Sequence, residues 1–122
     1  MSRDHRKLRV FTLADELAVL LYRDTQALPA EERYGLRAQL RRAAISAPTN
    51  IVEGCARHST RDYMHFLTIA LGFASEVRYL LNLTQRLVAD TERLKRLEDR
   101  YDELVRGIQK LVDALGSSGE KL

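Results

Sequence analysis

The chain predicts an all-α protein, an antiparallel up-down-up-down four-helix bundle, and three observations carry that expectation. Leu, Ala, Arg and Glu are frequent, whereas 122 residues hold only 6 glycines and 2 prolines. Four long stretches repeat apolar residues every three or four positions, the spacing that lines one face of a helix. The breaks between them are short, and short links between long helices make antiparallel neighbours. A chain of this length forms one domain, residues 1–122, with a core of its own.

The first helix is expected over residues 12–28. Thr12 with Asp15 three positions on resembles a capping box, Leu13, Leu17, Leu20, Leu21 and Leu28 form the apolar stripe, and Pro29 ends it. The second is expected over 30–55, with Glu31 and Glu32 in the first turn, where the helix dipole favours acids. Leu36, Leu40, Ala43, Ala47 and Ile51 make its inner face, Pro48 should kink it without ending it, and Gly54 falls near its C-cap. The third, 60–88, starts from a Ser59 or Thr60 cap with Asp62 in its first turn. It is apolar on more than one face, from Met64 through Leu71 to Leu83. A helix apolar nearly all round must be buried nearly all round, which implies a partner subunit. Gly72 and Ser75 cost helix propensity in mid-helix. They point to close backbone approach, either to the second helix or, with Met64 and Leu71, across an oligomer interface. The fourth, 91–115, carries Leu94, Leu97, Tyr101, Leu104, Val105, Ile108, Leu111 and Leu115 inward and both signs of charge outward. The ends, 1–8 and 116–122, are expected to be flexible.

Charge is concentrated in residues 31–61. Six arginines (Arg33, Arg37, Arg41, Arg42, Arg57, Arg61) stand against Glu31, Glu32 and Glu53, leaving the same +3 that the whole chain carries. Arg33, Arg37 and Arg41 recur every four residues, along one side of a helix. Such a stripe can contact phosphates. It can equally be a face neutralised by acids of another helix, for which Glu98, Asp99, Asp102 and Glu103 are available. The same segment ends in a polar group, Asn50, Glu53 and Gly54, to which Glu76 is added. Buried amides and carboxylates need designated partners, so a structural cluster around the Pro48 kink is expected.

The residues of this segment resemble a known family. The run YGLRAQLRRAAISAPTNIVEG, followed by Tyr63, Phe66, Leu67 and the stretch Ala70–Glu76, is similar to the four-helix-bundle proteins encoded in intervening sequences of bacterial 23S ribosomal RNA genes. The match is carried by Tyr34, Gly35, Leu36, Gln39, Arg41, Arg42, Ala43, Ser46, Asn50, Ile51, Glu53 and Gly54. Val52, Ala47 and Phe73 depart from the usual pattern by side-chain size alone. The resemblance spans about residues 11–112 and implies a ring-shaped homopentamer of antiparallel bundles. A related branch, the accessory variability proteins of diversity-generating retroelements, binds nucleic acid. The resemblance therefore implies self-association and, through that branch, RNA or DNA.

Other functions find little support in the residues. No Glu-x-x-His pair of the di-iron bundles occurs, since Glu53 is followed by Ala56 and Glu76 by Tyr79. His58, Asp62 and His65 fall on one helix face, but three such groups at an exposed helix start usually form a solvated patch, so no metal is expected. The glycines are isolated and form no phosphate-cradling loop. The lone Cys55 lacks a histidine base and fits a reducing cytoplasm. With no uninterrupted apolar run of about 18 residues, no membrane span is expected. The expected protein is a cytoplasmic, non-enzymatic homo-oligomer without a cofactor. It either binds a nucleic-acid backbone through its arginines or serves as a partner-binding module in which those arginines make salt bridges.

Overall fold

The computed structural model describes residues 3–32 and 35–120, the last three by backbone alone. Four helices share one core: α1 (Arg9–Asp24), α2 (Leu36–Cys55), α3 (Thr60–Leu87) and α4 (Glu92–Glu120). Single 3-10 turns, His5–Lys7 and Ala30–Glu32, precede α1 and α2. α1 and α3 each pack against both α2 and α4, so α2 and α4 stand diagonally across the bundle. Arg78 on α3 bonds Asp102 and Gln85 bonds Glu98. One number rises as the other falls, the register of opposed helices. The C-terminal end of α1 likewise lies beside the N-terminal end of α4, where Arg23 and Arg93 line one cleft.

The helix boundaries follow from local bonds. α1 begins three residues before the expected start, because Thr12 is not its cap: the Thr12 hydroxyl donates back to the Leu8 carbonyl at 3.3 Å. It stops at Asp24, four residues early, with Thr25 as its C-cap. The Thr25 backbone N–H donates to Leu21 O, and its hydroxyl donates to the same carbonyl at 2.7 Å. α2 begins at Leu36, not near Ala30. Gly35 leaves helical geometry with φ −104° and ψ −114°, and the Glu32 carboxylate accepts the Leu36 N–H at 3.4 Å. As expected, α2 runs on through Pro48. Around that proline the Ser46 hydroxyl, Thr49 hydroxyl and Asn50 amide donate to Arg42 O, Ile45 O and Ser46 O. These bonds add local ties in the stretch where the ring deletes one donor. Ser59 caps α3 by accepting the Asp62 N–H at 3.1 Å, as its position in the sequence suggests.

The described parts of both ends are more structured than expected, residues 1–2 and 121–122 lying outside the described residues. α4 continues to Glu120, five residues past the predicted stop. At the other terminus Arg3 donates its backbone N–H to Cys55 O at 2.6 Å, and its guanidinium lies 4.0 Å over the Tyr63 ring. Residues 3–8 are thus tied to the α2–α3 junction rather than free.

Leucines 17, 21, 40, 67, 81, 97 and 104, with Ile51, Ile108 and two tyrosines, fill the centre. Tyr63 keeps one edge under Arg3, but Tyr101 is wholly buried and its hydroxyl has no hydrogen-bond partner among the described residues. Burial also pushes that phenol well above its ordinary pKa. An orphaned buried hydroxyl costs about 1–3 kcal/mol. Tyr101→Phe should therefore leave thermal stability unchanged or raise it. A melting temperature lowered by several degrees would mean that the hydroxyl has a partner.

Candidate functional site

The five described arginines of this group do not gather at one place. α2 is 20 residues long, about 30 Å, so Arg37 near its start and Arg57 just past its end mark opposite ends of the bundle. Arg61, in the first turn of α3, lies near the same end as Arg57. Arg33 lies outside the described residues.

Arg41 is a structural residue. Its Nε donates to Thr25 Oγ1 at 3.1 Å, and its Nη2 donates to Tyr22 O at 2.9 Å and Gln26 Oε1 at 2.8 Å. The guanidinium also stacks 4.4 Å from the Tyr22 ring centre. One side chain thus fastens α2 to the last turn of α1, where unsatisfied carbonyls and the negative helix dipole favour a cation. Thr25 itself, wholly buried, was not marked as important by its sequence context. Within a helix expected to run to residue 28, it looks like any helical threonine.

The remaining arginines are available. Arg37 is half-buried, whereas Arg42, Arg57 and Arg61 are exposed. Arg57 lies flat over Phe66, 4.6 Å from its centroid, which restricts the guanidinium without using its donors. None of these four forms an ion pair among the described residues. Of the four α4 acids that could neutralise them, Glu98, Asp102 and Glu103 are occupied elsewhere, and Asp99 faces α1. Asp102 binds Arg78 at 2.9 Å and Arg106 at 3.1 Å, Glu103 binds Arg100 at 3.3 Å, and Glu98 accepts from Asn82 and Gln85. Since α2 and α4 are diagonal, those acids do not neutralise the α2 arginines within one subunit.

The expected polar cluster does not assemble. Asn50 bonds its own helix, Glu53 is exposed, and Glu76 lies ten residues, about 15 Å, along α3 from the Phe66 that faces Gly54. Asn50 and Glu53 are one turn apart on α2, but the carboxylate points away from the core. Gly54 is the member with a demanding position: a Cβ there would meet Phe66 Cβ at 2.9 Å and the Tyr63 ring at 3.4 Å. It is the point of close approach between α2 and α3.

Gly72 is not. Nothing lies within 4 Å of where its Cβ would stand, so the expected approach to the second helix is absent. The four residues assigned to oligomer packing divide accordingly. Leu71 packs partly on the subunit's own core, and Met64 reaches α4 beside Gly116. Ser75 is half-exposed and Gly72 is exposed. Much of α3 nevertheless lacks cover. It is long and apolar enough in composition to cross a membrane, yet only 33% of its most apolar window is buried within the subunit. Tyr79 and Leu87 stand 58% and 68% exposed.

His58, Asp62 and His65 are exposed, and no three of His, Cys, Asp and Glu gather at metal-binding distance among the described residues. Cys55 is buried under residues 3–4, and burial pushes its thiol above the ordinary pKa, the opposite of an activated nucleophile.

Residues 6–110 match the family of 23S rRNA-intervening sequence proteins. Among solved structures the chain is similar to a protein from Bacteroides thetaiotaomicron VPI-5482, described as of unknown function and from the S23 ribosomal protein family. The two share 24% identity over 85% of this chain and 95% of that one, with a TM-score of 0.77, which establishes a common fold. No curated protein matches.

Proposed function

Because this chain belongs to the 23S rRNA-intervening sequence protein family, we propose that it is a cytoplasmic, non-enzymatic homo-oligomer that holds the phosphate backbone of RNA or DNA. The oligomer proposed is a ring of five copies, with the uncovered side of α3, around Gly72 and Tyr79, at or near the subunit contact. One observation carries the nucleic-acid reading: Arg37, Arg42, Arg57 and Arg61 have no acidic partner among the described residues. Unpaired guanidiniums at two ends of each subunit, repeated around a ring, would multiply weak phosphate contacts through effective concentration. The alternative, arginines in salt bridges, is placed between subunits in this reading, since α4 with its acids is diagonal to α2 in the same subunit.

Replacing Arg42, Arg57 and Arg61 together by Glu tests this reading. Filter retention of labelled structured RNA should fall at least about tenfold at low salt, and the dependence of affinity on salt should flatten. The oligomeric mass should not change, because all three side chains are exposed. Unaltered retention would contradict the proposal, and dissociation of the oligomer would instead place the arginines in intersubunit ion pairs.

A further inference from the structure

A second group of arginines, spread along the sequence, is brought together by the fold. Leu20, Arg23 and Asp24 at the end of α1 face Arg93, Arg96, Leu97, Asp99 and Arg100 at the start of α4 across a cleft of about 600 Å³. Arg93, Arg96 and Arg100 are spaced i, i+3, i+7 on one side of α4, and Arg23 closes the cleft from the opposite helix. All four are exposed. Asp24 and Asp99 leave the lining two charges positive, and neither aspartate forms an ion pair with these arginines among the described residues. Among the described residues only Arg100 has an ion-pair partner, Glu103, bound through its Nε.

We propose that this cleft between α1 and α4 binds a phosphate-bearing ligand. Guanidiniums from two sides converge on one concavity, which suits a tetrahedral anion with several acceptor oxygens. Leu20, 36% exposed, offers an apolar surface beside them, against which a sugar or base can rest. The extent of positive charge bounds the ligand. Arg93 and Arg100 are seven residues, about 10 Å, apart along α4, room for two neighbouring phosphates. A neighbouring hollow that shares Leu20, Arg23 and Arg100 is lined along α1 by Asp15 and Glu16, which repel an anion. The site thus takes the phosphates of a nucleotide-like molecule or a short portion of a crossing strand, not a strand lying along the whole groove. These residues are distinct from the arginines of α2 and the α2–α3 junction.

Arg93→Gln with Arg96→Gln tests the site in the full-length protein, alongside Arg42→Gln with Arg57→Gln and Arg61→Gln. The probes are inorganic pyrophosphate, titrated by calorimetry, and a short labelled RNA followed by anisotropy, each at about 50 and about 200 mM salt. The α4 pair should weaken at least one probe about tenfold without changing the melting temperature. If pyrophosphate is bound and lost in that variant, phosphate groups alone suffice. If only RNA is weakened, a strand is the ligand. Wild-type affinity of the α4 variant for both probes, or no binding of either by the wild type at the lower salt, overturns the site. RNA binding lost only in the triple variant would remove the cleft and leave the preceding reading intact.

Discussion

Gly54→Val is expected to destabilise the fold by about 3 kcal/mol or more, close to the upper end of what overpacking does. The Cβ alone would stand 2.9 Å from Phe66 Cβ and 3.4 Å from both the ring and the carbonyl oxygen of Tyr63. These are parts of the facing helix near its backbone, so no flexible chain end can swing away. Relief requires α2 and α3 to separate where Cys55 and Tyr63 are both buried. For a domain of this size the loss is roughly 10 °C or more in melting temperature. Gly54→Ala should lie on the same side but be milder, since removing a helical glycine returns about 1 kcal/mol of propensity. Gly72→Ala provides the contrast. Its Cβ meets nothing within the subunit, so the propensity gain stands alone unless another subunit covers that face. Chemical denaturation of the three variants under one set of conditions gives the comparison. A Gly54→Val protein as stable as wild type would remove the close approach from the account.

Arg41→Ala is the second large effect, expected to cost about 2 kcal/mol, whereas Arg42→Ala should remain within about 0.5 kcal/mol of wild type. The two neighbours are the same residue type in the same helix, and the difference lies wholly in what they touch. Arg41 loses three hydrogen bonds and a stacking contact that join α1 to α2, while Arg42 has no partner among the described residues. RNA retention should order them the other way, Arg42→Ala being the more damaging. Equal stability of the two variants would mean that Arg41 is not a fastening residue.

The architecture was legible because it rests on periodicity, which a sequence displays directly. A cap at Ser59 or Thr60 could be expected because a hydroxyl just before a helical acid has few other uses, and the structure selects Ser59; the run through Pro48 could be anticipated from the apolar spacing on both sides. The expected start and end of α1 failed for a definite reason. Thr12 and Thr25 are both able to bond a carbonyl four residues back, so a threonine near a helix end does not say on which side of the boundary it lies. The functional residues were less legible. Spacing placed Arg37 and Arg41 on one side of α2, but only the packing of α1 against α2 reveals that one of them is consumed. The close approach of α2 and α3 falls at Gly54, and not at Gly72, for a similar reason. Gly54 and Gly72 look alike locally, and which one faces another helix depends on rotation about the axes. The cleft of Arg23, Arg93, Arg96 and Arg100 could not be read from spacing because Arg23 stands some 70 residues before the three arginines of α4 and meets them only when α1 lies beside α4.

The most direct test joins mass and binding on one sample: light scattering of the purified protein together with RNA retention across a salt series. The account predicts an assembly of about 70 kDa, five times the 14.0 kDa subunit, whose RNA affinity falls steeply as salt rises. A 14.0 kDa monomer, or an intact oligomer that retains no RNA at low salt, would contradict it.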